Sequence, residues 1–195
     1  MPDTARTPCA NQESLRAIRL VKGDLTKAQT DAIVNAANPS LTGGGGVDGA
    51  IHAAAGPKLL EACLNLPEVA PRVRCPFGQA RLTSAYGRLK SNFVIHAVGP
   101  IYQSDPNPTL TLARTYRAVF RCAHQHKVQK IALPAISCGV YGFPMAPAAR
   151  IALRIASEHF RDFQEITFYL FSEEAHGVWT DAKSALTSGG TNSPD

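Results

Sequence analysis

Long apolar runs are missing from this chain: no stretch approaches the roughly 20 residues needed to cross a bilayer. The N-terminus has no apolar segment followed by a small-residue cleavage site. Neither a membrane anchor nor export is expected, which points to a cytoplasmic protein. Charge is also scarce, at 18% of residues, and there is one tryptophan. The charge present is modestly basic, +5 net, without a basic run of the kind that forms a nucleic-acid arm. The excess suits an anionic ligand such as a nucleotide or a nucleic-acid end, or else an ordinary solvated surface; nucleic acid stays open as a partner with only this charge in its favour. Five cysteines, Cys9, Cys63, Cys75, Cys122 and Cys138, are odd in number and lack CxxC spacing. The histidines are dispersed apart from His124 and His126, which fall near a helix end. The chain reads as carrying reduced thiols, with no metal-ligand set and no need of a cofactor.

What is present suits one globular domain. The chain has 195 residues, 45% of them hydrophobic, and no mid-chain linker. The domain is expected over residues 17–186, after a flexible N-terminal extension (1–16) rich in polar residues and proline. A Ser/Gly/Asn tail (187–195) is expected to be disordered. A monomer is expected.

The chain is organised around residues 32–56, AIVNAANPSLTGGGGVDGAIHAAAG. A short apolar strand ends in an amide at Asn35, followed by Asn38-Pro39-Ser40 turn chemistry and glycines at 43–46. Val47, Ala50, Ile51 and Ala54 then recur at helical spacing. Glycines between a strand and a helix start let the backbone approach a ligand closely and turn several amide N–H groups toward one anion. The loop is not the common phosphate loop, since no GxxxxGK[ST] spacing occurs. A flexible linker is the alternative on composition. Asp48 lies in the first helical turn, where it serves either as a dipole partner or, beside a bound phosphate, as the group that orients a water. His52 follows at i+4, on the same helix face. The pair reads as either a cap with a half-buried histidine or part of a site.

Further strands are expected at 18–22, 79–86, 92–98, within 130–136 and at 165–171, and helices from Pro57, over 110–123, 146–160 and 173–186. The nearly continuous apolar run at 92–98 reads as a strand covered on both faces, with His96 a hydrogen-bonded core or rim histidine in preference to a catalyst. The strand at 130–136 leads into a second glycine loop, Ser137 to Pro144, whose Gly139 and Gly142 are either turn glycines or part of a ligand cleft. Alternating strands and helices with two such loops give a three-layer α/β/α domain. Cys138 has no activating histidine in view, so a nucleophilic role is disfavoured.

The run NAANPSLTGGGGVDGAIHAAAG resembles a macrodomain of the MacroD type. So do Gly23-Asp24-Leu25-Thr26 before it and Ile136-Ser137-Cys138-Gly139-Val140-Tyr141-Gly142-Phe143-Pro144 after it. The resemblance implies a mixed, mostly parallel central sheet of about six strands and ADP-ribose as ligand. Asp24 would then accept from the adenine amino group and the Leu25 amide meet the ring. The amides of Gly44, Gly45, Gly46 and Val47, with those of Ser137, Cys138, Gly139, Val140 and Tyr141, would hold the pyrophosphate. Phe171 would cover the adenine or else pack in the core, and Tyr141 would pack on the distal ribose. Asn38, Asp48 and His52 would carry hydrolysis of an ester at that ribose. Substrates would be proteins mono-ADP-ribosylated on acidic side chains, and O-acetyl-ADP-ribose. The same resemblance allows a non-catalytic ADP-ribose reader or a regulator of a ribonuclease. The chain departs from the family pattern at Phe77, Ala85 and Cys138, where relatives usually or often carry Thr, Gly and Thr.

Overall fold

The computed structural model describes residues 12–188; the extension expected before Gln12 and the tail expected after Ser188 lie outside the described residues. Elements follow in the order α1 (Gln12–Ala17), β1 (Arg19–Lys22), β2 (Ala32–Ala36), α2 (Gly46–Ala55), α3 (Pro57–Leu64), β3 (Gln79–Ser84) and β4 (Phe93–Val98). The second half contributes α4 (Pro108–Gln125), β5 (Lys130–Leu133), α5 (Met145–Glu158), β6 (Glu165–Leu170) and α6 (Glu173–Ser188). The six strands form one sheet in the order β1-β6-β5-β2-β4-β3. Every neighbouring pair is parallel except β3 with β4.

The pleat sorts the apolar residues into two cores. Along β2, Ala32 and Val34 face one core and Ile33 the other; along β4, Ile95 and Ala97 face the first and Val94 and Val98 the second. This period of two is why the central strands read as unbroken apolar runs: both faces are covered. The larger core takes residues of α4, α5 and α6, including Phe120, Leu153 and Trp179, and the smaller takes Ile51, Leu59 and Cys63 of α2 and α3. Three layers result, as expected.

Two boundaries differ from the sequence reading. Residues 12–16 are not an extension: they open α1, whose Leu15 is fully buried in the larger core. Gln12 Nε2 donates to the Thr187 carbonyl at 3.1 Å. Leu15 and Ile18, three apart, bury together, and that contact outweighs the polar composition around them. Thr187 and Ser188 likewise continue α6, each hydroxyl donating to the carbonyl four residues earlier. Local back-bonding of this kind lets Ser and Thr finish a helix that composition alone assigns to a tail.

Candidate active site

In a parallel sheet all strand carboxyl ends fall on one edge. Here that edge carries Asp24 after β1, Phe171 after β6, residues 134–142 after β5, residues 37–45 after β2, and Gly99 after β4. The chain leaves β2 for α2 in the smaller-core layer and leaves β5 for α5 in the larger-core layer. A crevice opens where neighbouring strands send their connections to opposite faces. A cleft of about 230 Å³ lies there, lined by Asn38, Gly44, Gly45, Gly46, Val47 and Asp48 of the first loop and Ser137, Gly139, Val140 and Tyr141 of the second, with Gly99 beside them.

Both loops offer unanswered donors. The residue before α2 is Gly45, which has no side chain to cap the helix, so the first-turn N–H groups have no intrahelical acceptor. Among the described residues, the amides of Gly44, Gly45, Gly46 and Val47, and of Ser137, Gly139, Val140 and Tyr141, find no acceptor within the protein. Eight such donors around one cleft make an anion site. The second loop is fixed from behind: Phe143 N donates to the Ser137 carbonyl at 2.9 Å and Tyr102 N to the Tyr141 carbonyl at 2.9 Å. Ser137 itself holds a left-handed φ of 66°, the kind of local strain that clusters in ligand loops.

Asp48 is buried at the cleft floor, 5% exposed. Its Oδ1 accepts from Asn35 Nδ2 at 2.6 Å and lies 3.5 Å from His52 Nε2. Its Oδ2 is turned toward the glycine loop, 3.1 Å from where a Cβ on Gly44 would sit, so a side chain there would crowd the carboxylate. Burial holds the Asp48 carboxyl above its ordinary value of 3.8, against the opposing effects of Asn35 and then His52.

Behind Asp48 stands a buried polar chain. Asn35 and His96 lie opposite each other in the β2–β4 register, and Asn35 Nδ2 is 3.2 Å from His96 Nδ1. His96 Nε2 is 3.0 Å from Thr83 Oγ1 and 3.5 Å from Cys63 Sγ. With Asp48 ionised the amide nitrogen must face it, because an Asn35 oxygen there would set two acceptors together; Asn35 Oδ1 is then buried without a partner among the described residues. Asn35 therefore donates to both Asp48 and His96, so Nδ1 of His96 is the acceptor and Nε2 carries the proton that Thr83 receives. The ring is neutral: burial, with His52 as a lesser cause, pulls its pKa down to about 3. His96 is thus a core histidine, as the sequence suggested. Asn35 was missed as a site residue; its signal was an amide closing an otherwise apolar strand.

The remaining expected residues fall as follows. Asn38 lines the cleft, with Nδ2 donating to the Gly43 carbonyl at 2.8 Å and Oδ1 accepting from Ser40 Oγ at 2.8 Å. Asp24 caps the short helical turn after it. Its Oδ1 accepts from Thr26 Oγ1 and Thr26 N, and the Thr26 hydroxyl is the chief cause of its lowered pKa. Among the described residues Oδ2 of Asp24 has no partner. The Leu25 side chain is buried in the smaller core, so that residue offers only backbone. Phe171 is 91% exposed, which overturns the core alternative for it. Because Gly23 N donates to the Leu170 carbonyl at 3.0 Å, Asp24 and Phe171 stand side by side at the ends of paired strands. Neither lines the central cleft. Val140 is also almost fully exposed, at the cleft mouth. The Cys138 amide, expected among the pyrophosphate donors, instead donates to the Ala135 carbonyl at 3.3 Å, and Cys138 does not line the cleft; burial pushes its thiol up to about 12, so it is no thiolate nucleophile. Burial and the charge of Asp48 raise the Tyr141 hydroxyl.

The sequence reading passed over Gly99. A Cβ there would fall onto Ser137 Oγ and within 2.6 Å of Ile136 Cγ2. Only glycine lets the end of β4 pass under the second loop. Among the described residues no group of three His, Cys, Asp or Glu side chains gathers as a metal site requires.

Comparison with known proteins agrees with this architecture. The chain is 50% identical over 168 residues to a macro domain-containing protein of Vibrio parahaemolyticus, covering 86% of this chain and 98% of that one. Among solved structures it resembles the Oceanobacillus iheyensis macrodomain with ADP (TM-score 0.82, 41% identity, 87% of this chain and 91% of that chain). It also resembles the Trypanosoma brucei macrodomain in complex with ADP-ribose (TM-score 0.76, 36% identity, 85% of this chain and 68% of that chain). The Macro domain profile matches residues 34–152, a span that runs from β2 through both glycine loops into α5, and the chain belongs to the Macro domain family.

Proposed function

We propose that the protein binds ADP-ribose along the strand-end edge and hydrolyses esters at its distal ribose. The products are ADP-ribose with a freed acidic side chain, or with acetate when O-acetyl-ADP-ribose is the substrate. The observation that carries this reading is a buried carboxylate, Asp48, set among eight unanswered backbone amides. A diphosphate answers those amides. The relatives solved with ADP and with ADP-ribose support the choice of anion.

The edge then orders the ligand. Adenine lies over the β1–β6 end, its amino group donating to the open Oδ2 of Asp24 and its ring against Phe171. An acceptor at that position favours adenine over guanine, which presents an oxygen there. The diphosphate sits between the loops after β5 and β2. The distal ribose reaches Asn38, Asp48 and Tyr141, all of which line the cleft.

Asp48 and the bound phosphate, both negative, share a water between them. Asp48 orients that water and takes up part of its proton as the oxygen attacks the ester carbonyl. The acyl carbon–oxygen bond breaks, and the ribose oxygen leaves with the proton that the water gave up to Asp48. Asn35 fixes the Asp48 oxygen that does not face the loop, and His52 supports the carboxylate's charge from 3.5 Å.

Asp48→Ala should lower kcat on an aspartate- or glutamate-modified peptide by about 100-fold or more, with ADP-ribose affinity changed only a few-fold. Equal rates for wild type and variant would remove Asp48 from the mechanism, and no turnover by wild type on either ester would leave a binding module. Asp24→Ala should weaken ADP-ribose binding about tenfold, the value of a charge-assisted hydrogen bond; calorimetry giving an unchanged Kd would reject the adenine role.

A further inference from the structure

A second concavity lies between β3 and α4. It has a volume of about 610 Å³ and is lined by four arginines, Arg81 from the edge strand and Arg114, Arg117 and Arg121 from the helix. The helix positions are three and four residues apart, so they share one face and spread over about 10 Å of axis. All three are exposed. No acidic residue lines the groove. Arg117 meets Glu158 at 3.7 Å, but among the described residues Arg114 and Arg121 form no ion pair. Arg81 donates to the Ala80 carbonyl at 2.9 Å and to Gln79 Oε1 at 3.0 Å. These bonds hold its guanidinium in place and leave its charge uncompensated.

We infer that this groove binds the phosphate backbone of double-stranded nucleic acid, without regard to base sequence. Guanidinium groups meet phosphate oxygens two at a time. The arginine face of α4, about 10 Å long, can meet more than one phosphate of a strand. The neutral lining is glycine, alanine, glutamine and cysteine. It has no aromatic ring on which unpaired bases would stack, as single-strand binders require. Nor does it have an aromatic or branched aliphatic anchor of the kind that carries a protein interface. What remains is charge spread along one face, and a net charge of +5 draws a polyanion toward it.

The groove is separate from the cleft, so this binding stands whether or not the cleft turns over an ester, yet the two adjoin. The groove begins at Gly78, whose N–H donates to the Val98 carbonyl at 2.8 Å, one residue before Gly99 of the cleft. Phe77, one residue earlier in the chain, places its ring 6.5 Å from that of Tyr141.

Fluorescence anisotropy with a short labelled duplex of mixed sequence tests the inference, using the full chain between about 50 and 200 mM salt. Binding should weaken with a log–log slope between about −2 and −4, since each engaged arginine contributes about 0.9. The double variant R114A/R121A should bind at least about tenfold more weakly at low salt and lose about two units of slope. Its melting temperature and its ADP-ribose titration should match wild type. Three results would overturn the inference: no salt-dependent duplex binding by wild type, equal duplex affinity of the variant, or preference for a matching single strand or a polyglutamate peptide over the duplex.

Discussion

A single carboxylate shows how far a residue's surroundings govern its work. Asp48 reads in the sequence as an ordinary first-turn acid, and at i+4 from His52 it invites a capping explanation. In the structure it is closed in by the Asn35 amide on one oxygen and the glycine loop on the other. Neither contact has a sequence signature of its own, because both depend on how β2 and α2 fold back together. Burial raises the carboxyl above 3.8 in the folded protein. The sign follows directly: a folded pKa above the unfolded one favours the protonated acid, so ionisation costs the fold stability. That penalty is absent below the unfolded value and grows as pH rises through the folded one. Asp48→Asn should therefore melt higher than wild type at neutral pH, the gap closing as the pH falls below 3.8. Differential scanning fluorimetry across pH reads this directly. Turnover should show the same group as an acid limb of kcat/KM with its midpoint above 3.8; a limb at or below that value would take Asp48 out of the base role.

At the level of strands, helices and loops, periodicity was a sound guide wherever an element buries one face or both. The strands at 79–84, 93–98 and 165–170 and the helices from Pro57 and over 108–125 fall close to where apolar spacing puts them. Ends were less legible. The strand expected within 130–136 occupies Lys130–Leu133, and it ends there because Pro134 has no N–H to continue a ladder. The contact between the end of β4 and the second loop was not legible at all, being a long-range approach whose only trace is that residue 99 is glycine. Gly99→Ala should push the Ser137 loop outward. We expect about 1–3 kcal/mol of lost stability from overpacking, with ADP-ribose affinity falling about tenfold as the second loop's donors leave position. Urea unfolding and calorimetry on the same sample separate the two effects, and an alanine variant that binds and unfolds like wild type would refute the steric argument.

Across the whole molecule, two cores on opposite faces of one sheet hold a functional edge that belongs to neither. The family resemblance was readable because the glycine loops sit at that edge, where sequence is tied to ligand chemistry rather than to packing. The first turn of the domain was misjudged for the opposite reason: α1 has a polar composition and is held by one buried leucine. Leu15→Ala should cost about 2–5 kcal/mol, the usual range for emptying a packed leucine site, seen as a lower urea midpoint. It should leave ADP-ribose binding by the folded fraction unchanged, because Leu15 belongs to the larger core and the cleft's acid rests on the smaller. A stable Leu15→Ala variant would mean that the helix is an ornament on the domain and not part of it.

His96 carries one more implication. An imidazole that stays uncharged until the medium reaches about 3 has a fixed polarity throughout the conditions of cellular life. Thr83, His96 and Asn35 therefore act as a rigid mount with one permitted wiring. Acidification that would switch a surface histidine leaves this mount untouched, so the groups behind Asp48 keep their places while the carboxylate itself titrates.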